Sequence, residues 1–310
     1  MSARPRVLVT GATGRLGRLL VPRLRERGAA VRVFTRQAER AAPLVTQGLA
    51  GPRASAGIEV AVGDLSDAVS LRQAFDGVSH LFLLSPISPE LAAQQIAAIE
   101  AAKAAGVQRI VKLSGSHWTI EPAGRSLSGD AHARVEASLA ASGIAHQVLR
   151  PNAWLQVMLA RLGADLAEGD VLLAPPAFAP VSYIDARDIA DVAVHALLGS
   201  FTAPPQPWVL TGVRGVDHHE IARIASTLTG RRIRAEPLSA QALAERQAQA
   251  PSPYIAQVHA QFASLIGAGE AASVTDTVAC VLGRPPRSIE AFVAEALTPP
   301  HARAEHRRAA

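Results

Sequence analysis

Three glycines stand three residues apart in Gly11-Ala12-Thr13-Gly14-Arg15-Leu16-Gly17, directly after the apolar run 7–10. A glycine at the first position lets the chain turn sharply out of a strand. One at the second lets a ligand approach the main chain, and one at the third lets the following helix pack closely on the sheet. The chemistry is capture of a diphosphate on free N–H groups at a helix N-terminus, where the helix dipole also favours an anion. The strand–turn–helix setting makes a dinucleotide loop the expected reading over a structural glycine turn. Gly11, Thr13, Gly14, Arg15 and Leu16 are its candidate contacts. The second apolar run ends Val31-Arg32-Val33-Phe34-Thr35-Arg36, with no carboxylate before Glu39. A ribose 2′-hydroxyl would want an Asp or Glu there, whereas Arg36, assisted by Arg15 or Arg40, suits a 2′-phosphate. NADP(H) is therefore favoured over NAD(H), the alternative being a solvated surface arginine. Asp64 and Leu65 follow the third run and suit an adenine amino group and ring. Leu84-Ser85-Pro86 and Ser114 end the fourth and fifth runs, at the sheet edge where ligands of open α/β sheets bind.

Such a loop must be positioned by alternating strands and helices. Apolar runs stand at 7–10, 30–34, 58–62, 78–84, 107–113 and 145–149, with helical spacing between them. Leu16, Leu19, Leu20 and Leu24 form one helical stripe. Leu91, Gln95, Ala98, Ile99 and Ala102 form another that stops at Gly106, and a third helix runs over 130–142 to Gly143. Six strands apolar on both faces predict a doubly wound parallel α/β sheet covered by helices on both sides. Pro22 inside the first helix removes one hydrogen bond, which predicts a kink or a lost bond on the wet face. The stretch 46–57, TQGLAGPRASAG, reads as a surface loop. Beyond Pro151 short strands are expected at 171–173, 181–184 and 208–210. Helices are expected at 185–198, 218–228 behind an Asp217 cap, 240–249, 254–266, 273–282 and 288–297. These make a smaller, mainly helical C-terminal lobe, joined through Pro-rich connections such as 203–207. The expected division is 1–150, with 181–213 returning to it, against 151–180 and 214–300, followed by a frayed tail at 301–310.

The chain of 310 residues is 49% apolar and 18% charged, which is enough to bury a large core and excludes disorder. Its net charge of +5 comes from 31 Lys+Arg against 26 Asp+Glu. Arg4 and Arg6 at one end, and Arg303, Arg307 and Arg308 against Glu305 at the other, supply most of that excess. Without a basic stripe interleaved with aromatics, no nucleic-acid partner is expected. The single Cys280 excludes an internal disulfide, and no run of apolar residues is long enough to span a membrane. The glycine loop begins too soon after the first residue for a signal peptide to precede it, so a cytoplasmic location is expected. A homodimer stays open.

The series VTGATGRLG, VRVFTR, GDLSD, the pattern over 107–114, HARVEASLAASGIAHQVLRPNAW at 132–154 and GRPPRSIEAF at 283–292 resembles the NmrA-like group of atypical short-chain dehydrogenases/reductases. The resemblance spans nearly the whole chain. It implies a Rossmann domain, a small C-terminal substrate lobe and NADP(H) in the cleft between them. Members of the group include quinone, triphenylmethane and phenylpropanoid reductases, and redox-sensing regulators that bind the cofactor without turnover.

The chain departs from the wider superfamily at the proton donor. That chemistry wants a Tyr with a Lys four residues on, the ammonium lowering the phenol's pKa. Here Tyr183 is followed at that spacing by Arg187 and Tyr254 by Val258, and the lysines are Lys103 and Lys112. On the equivalent helix stand His132 and Glu136, one turn apart. A histidine near neutral pKa can protonate an oxyanion after hydride transfer, so His132 is the candidate catalytic residue, against the alternative of a surface His–Glu pair. Asn152 and Trp154 would border the nicotinamide end if the family layout holds. His117, Trp118 and Tyr183 are candidate substrate contacts. His218 and His219 lack a third ligand for a metal. Cys280 reads as an inert core thiol, and Asp185, Asp188 and Asp191 as a polar helix face. These features together lead to an NADPH-dependent oxidoreductase passing hydride to a small conjugated acceptor, a quinone, enone or dye. The alternative is a redox sensor that binds NADP(H) and changes partner affinity.

Overall fold

The computed structural model describes residues 4–46, 57–199 and 206–298. Most of the expected loop at 46–57, most of the connection at 203–207 and the tail at 301–310 lie outside them. The elements run β1 (Arg6–Val9), α1 (Gly17–Glu26), β2 (Ala30–Thr35), a 3-10 turn (Ala38–Ala41), α2 (Ala42–Thr46), β3 (Glu59–Val62), α3 (Ala68–Phe75), β4 (His80–Leu83) and α4 (Leu91–Ala104). Next come β5 (Arg109–Leu113), α5 (His117–Ile120), α6 (Leu127–Ala141), β6 (Ala145–Pro151), α7 (Leu155–Met158), α8 (Leu162–Glu168), β7 (Val171–Ala174), α9 (Ala186–Leu198) and β8 (Trp208–Leu210). The remainder is α10 (His218–Thr229), β9 (Arg234–Pro237), α11 (Ala240–Ala248), α12 (Pro253–Gly267), α13 (Thr277–Leu282) and α14 (Ile289–Leu297).

The chain forms two compact units, one of Met1–Pro151 with Ala186–Val209 and one of Asn152–Asp185 with Leu210–Ala310. The first carries a sheet ordered β3-β2-β1-β4-β5-β6-β8, in which β1 to β6 pair in parallel. The order reverses between β1 and β4, which opens a crevice at the carboxyl ends of those two strands. Alternation along the strands sends Leu8, Leu81, Leu83 and Ile110 to one face. There they meet Leu71 and Phe75 of α3, Leu91 and Ile99 of α4, and Val135 and Leu139 of α6 in a single core. Helices α1 and α9 pack together and share the Arg23–Asp191 ion pair at 2.7 Å.

Local chemistry sets the helix ends. Asp67 caps α3 by accepting from the Val69 and Ser70 N–H groups, and Ser126 caps α6 by accepting from Gly129. Gly106 and Gly143 turn the chain out of α4 and α6 with φ of 72° and 76°. Helix α1 runs unbroken through Pro22, and the carbonyl left without its donor belongs to Arg18, an exposed residue.

Four expectations need correction. β3 is not apolar on both faces: it is the sheet edge, and Val60 and Val62 are exposed. The stretch 181–184 forms only isolated bridges, Val181 to Val216 and Ile184 to Trp154, because no strand runs alongside it. Asp185 and Asp188 are fully buried and not on a solvated face. Cys280 is exposed, since the short helix α13 turns only Val278 fully inward. In the second unit β7 pairs in parallel with β9, which the sequence reading missed, and α14 packs on α8 and α10. Among the described residues no helix is long and apolar enough to cross a membrane.

Candidate functional site

At the exit of β1, Thr10 Oγ1 donates to the Leu84 carbonyl at 2.8 Å and accepts from the Leu84 N–H at 2.8 Å. This clips the ends of β1 and β4 together at the point where the strand order reverses. Gly11 then turns with φ of 63°, a conformation that side chains rarely adopt. A Cβ on Gly17 would stand 2.3 Å from the Ala12 carbonyl oxygen, so only glycine lets the first turn of α1 sit on the loop. The Gly14 N–H closes back on the Gly11 carbonyl at 3.1 Å. Among the described residues the N–H groups of Thr13, Arg15 and Leu16 have no protein acceptor. Three amide donors at a helix N-terminus are what a diphosphate requires.

The loop borders a cavity of about 860 Å³. Gly11, Thr13 and Gly14 form one wall, and Asp64, Leu65, Leu84, Ser85 and Pro86 line it from the ends of β3 and β4. Arg36 and Arg40 reach it from beyond β2, and neither has an acidic partner among the described residues. Glu39 is not on the wall. Thr10, Gln37, Ser88, Glu90 and Gln94 also line it and were not singled out in the sequence. One of the Asp64 oxygens is already engaged, accepting from the Ser66 N–H at 2.8 Å. Behind the wall Gln95 donates from Nε2 to Ser85 Oγ at 2.9 Å, and its buried Oε1 has no partner.

Three expected contacts are not on the wall. Leu16 turns its side chain into the core, because it belongs to the stripe that packs α1 on the sheet. Arg15 is exposed and points to no partner there. Ser114 joins a different, buried polar group instead.

That group lies at the carboxyl end of β5. Lys112 is fully buried, with Nζ 3.0 Å from His132 Nδ1 and 3.3 Å from both Ser114 Oγ and the Leu113 carbonyl. Ser114 Oγ donates in turn to Glu136 Oε1. Glu136 accepts from Arg150 Nη2 at 2.6 Å and Nε at 3.2 Å. Arg150 Nη1 reaches Glu121 at 2.6 Å and His117 Nδ1 at 2.9 Å. The expected His132–Glu136 pairing therefore does not form; Lys112 takes the ring and Ser114 and Arg150 take the carboxylate. His132 is 6% exposed and not a surface residue, and its ring lies against the backbone of Gly115.

Burial pushes the Lys112 ammonium down to about 7, Glu136 opposing and Arg150 reinforcing the shift. Burial, followed by the charges of Lys112 and Arg150, holds His132 well below its usual range, as a neutral imidazole. The Arg150 hydrogen bond holds the Glu121 carboxyl down. In the ladder Lys112 lies opposite Leu83, one residue before the cavity wall at Leu84. The two polar features thus share one sheet edge on neighbouring strands. Lys112 and Arg150 were missed, although a cation inside an apolar strand is a visible conflict in RIVKLSGS and QVLRPNAW.

The expected substrate contacts divide between the units. In the first, His117 is exposed and Trp118 is buried. In the second, the Asn152 amide donates to Ser182 Oγ at 2.6 Å and the Ala271 carbonyl at 2.9 Å, so it holds the fold of that unit. Trp154 begins α7 and is half-buried. Tyr183 is buried, and that burial with the Asp217 charge raises its phenol's pKa. His219 stacks on Phe178 at 4.1 Å, and no metal-binding group occurs among the described residues.

Comparison with known proteins places these features. The family model described as the NmrA-like family matches residues 3–282. The chain is 32% identical over 289 residues to a (4-alkanoyl-5-oxo-2,5-dihydrofuran-3-yl)methyl phosphate reductase of Streptomyces griseus, covering 93% of this chain and 97% of that protein. It is 30% identical over 293 residues to an NAD(P)H azoreductase of Xenophilus azovorans, covering 92% and 96% respectively. The fold matches an NADPH-dependent quinone oxidoreductase of Escherichia coli solved with NADPH, with a TM-score of 0.79 at 24% identity, over 94% of this chain and 100% of that one. It also matches a Citrobacter triphenylmethane reductase solved with NADP(H), with a TM-score of 0.76 at 23% identity, over 94% and 100%. With its glycine loop, its reversed strand order and a family model matched over most of its length, the chain belongs to the NmrA-like family.

Proposed function

We propose that the chain is an NADPH-dependent oxidoreductase that delivers hydride to a small conjugated acceptor. The observation that carries this reading is the glycine loop, whose unpartnered amides open onto a cavity flanked by Arg36 and Arg40. The residues fit the nucleotide. A side chain at Gly17 would collide with the Ala12 backbone, and one at Gly11 would be strained by its φ of 63° and crowd Leu84, so the loop is built bare. Its volume is within the range of small-molecule and cofactor sites, a few hundred to about 1,000 Å³. Two guanidiniums without acidic partners suit a 2′-phosphate, and no carboxylate stands on the wall at the end of β2 to take a 2′-hydroxyl. The free amides of Thr13, Arg15 and Leu16 take the diphosphate, on the wall that Gly11, Thr13 and Gly14 form, while Asp64 and Leu65 take the adenine.

The reduced nicotinamide, when bound, supplies the hydride. The relatives' names support an electron-poor acceptor: one describes a C=C bond with two carbonyls on one of its carbons, the other an azo bond. Addition to such a bond spreads the charge, so a single proton donor completes the reduction without a Tyr-Lys pair. His132 is that donor.

Calorimetry with NADPH and NADH, followed by NADPH oxidation over a panel of quinones, enones and azo dyes, tests the reading. Arg36→Ala is expected to weaken NADPH roughly 10- to 100-fold, the loss of one charge-assisted contact, while leaving NADH nearly unchanged. Equal loss for both would remove the 2′-phosphate role. Tight binding without turnover on any acceptor would make the protein a redox sensor, and no heat with either nucleotide would end the cofactor reading.

A further inference from the structure

Cofactor binding makes no use of the buried amine at the end of β5. Lys112 Nζ lies against three acceptors, the Leu113 carbonyl, Ser114 Oγ and His132 Nδ1, which match the three N–H bonds of an ammonium. An ammonium that donates to Nδ1 leaves the single proton of a neutral imidazole on Nε2. Among the described residues nothing bonds that Nε2, and it is not among the buried polar atoms left without a partner, so it is the open end of the ring.

We propose that Lys112 is the positioning and proton-supplying residue behind His132, holding the ring as an Nε2–H donor and refilling Nδ1 as Nε2 gives up its proton. The inference rests on the reductase reading above. Hydride addition leaves the acceptor as an anion. Its new O–H or N–H bond forms as the Nε2–H bond of His132 breaks, and a proton passes from Lys112 Nζ to Nδ1. The products are the neutral reduced acceptor, an Nδ1–H imidazole and a neutral Lys112 amine, and water returns the proton before the next turnover. Two further features support this relay. A lysine at its usual 10.5 would hold its proton too tightly, whereas burial brings Lys112 to about 7. Charged groups also face it from the neighbouring elements: Ser114, which follows β5, accepts from it and Glu136 of α6 compensates it, whereas Arg150 of β6, joined to His117 of α5 and to Glu121, sets a second cation beyond the carboxylate.

The test reads the ring directly. Protein labelled with 15N-histidine, assigned with His132→Asn, gives the His132 tautomer by long-range proton–nitrogen correlation from about pH 6 to about pH 9. The wild type is expected to show the Nε2–H form, with an Nδ1 signal that shifts as pH rises through about 7. Lys112→Met is expected to lose that shift. In turnover it lowers kcat about 100-fold or more, with KM and NADPH affinity unchanged. Lys112→Gln keeps a donor for Nδ1 but no proton to release, so it keeps the tautomer and loses the rate. A Lys112→Met protein with wild-type His132 signals, or with the wild-type pH profile of kcat, overturns the inference. If that variant does not fold, a wild-type Nδ1 signal that stays flat through neutral pH overturns it equally. Turnover by the wild type with no dependence on Lys112 sinks the relay alone. NADPH binding with no turnover sinks the reductase reading and the refilling step with it.

Discussion

A lysine with no exposed surface is costly unless its charge is met, and at Lys112 three oxygen or nitrogen acceptors and a nearby carboxylate meet it. The arrangement fixes the His132 ring at Nδ1 and presses its other edge on Gly115. A Cβ at Gly115 would stand 2.8 Å from His132 Cδ2 and 3.1 Å from Thr119 Oγ1. The ring cannot retreat without stretching its bond to Lys112. Gly115→Ala is therefore expected to lower kcat roughly 10- to 100-fold, the usual consequence of a misplaced reacting group, while leaving NADPH affinity unchanged. Steady-state kinetics beside calorimetry checks this, and unchanged kcat would show that the ring position does not matter to the rate.

At the scale of elements, the loop and α1 act as one piece. The atoms nearest a Cβ at Gly17 are the Ala12 carbonyl oxygen, Cα and carbonyl carbon, at 2.3, 2.4 and 2.5 Å, and backbone cannot give way as a flexible side chain does. Gly17→Ala must move the helix off the loop. The expected outcome is a loss of about 1–3 kcal/mol of stability and NADPH binding too weak to measure. Denaturation and calorimetry on the same preparation check both halves, and a variant that still binds NADPH tightly would show that the amides of this loop do not hold the phosphates. The unbroken course of α1 through Pro22 has the same local character. The bond it forgoes is at Arg18, whose carbonyl water can serve.

At the scale of the whole molecule, buried titration couples stability to pH. In the unfolded chain Lys112 keeps its proton up to about 10.5, while in the folded protein burial lets it go near 7. Between those values the unfolded state binds more protons, so stability rises with pH, by at most about 1.4 kcal/mol per pH unit. Lys112→Met is expected to lack this rise, which urea denaturation at pH values on either side of 8 would detect; parallel curves for the two proteins would refute it. His132 adds a similar, separate rise below 6.5, since its folded pKa also lies beneath its unfolded one.

Much of this was readable along the chain. The alternation of apolar runs with helical stripes, the caps at Asp217 and the stops at Gly106 and Gly143 are local signals, and local signals determine elements and the class of sheet. The glycine spacing and the missing carboxylate after β2 are each read within a few residues, and of the contacts they and the strand ends suggest, Gly11, Thr13, Gly14, Arg36, Asp64, Leu65 and Leu84–Pro86 do line the cavity. Tertiary structure alone decided what Lys112 does. Besides Leu113 and Ser114 next to it in the chain, its neighbours His132 and Glu136 of α6 and Arg150 of β6 stand 20 or more positions away and meet it only when parallel strands align and a crossover helix lies across them. The same packing turned His132 from one half of a helix-surface pair into a buried ring, and moved Ser114 from the cofactor wall to the polar group behind it. Sequence spacing reports which side chains share a face, whereas burial and the pKa shifts it causes depend on what covers that face.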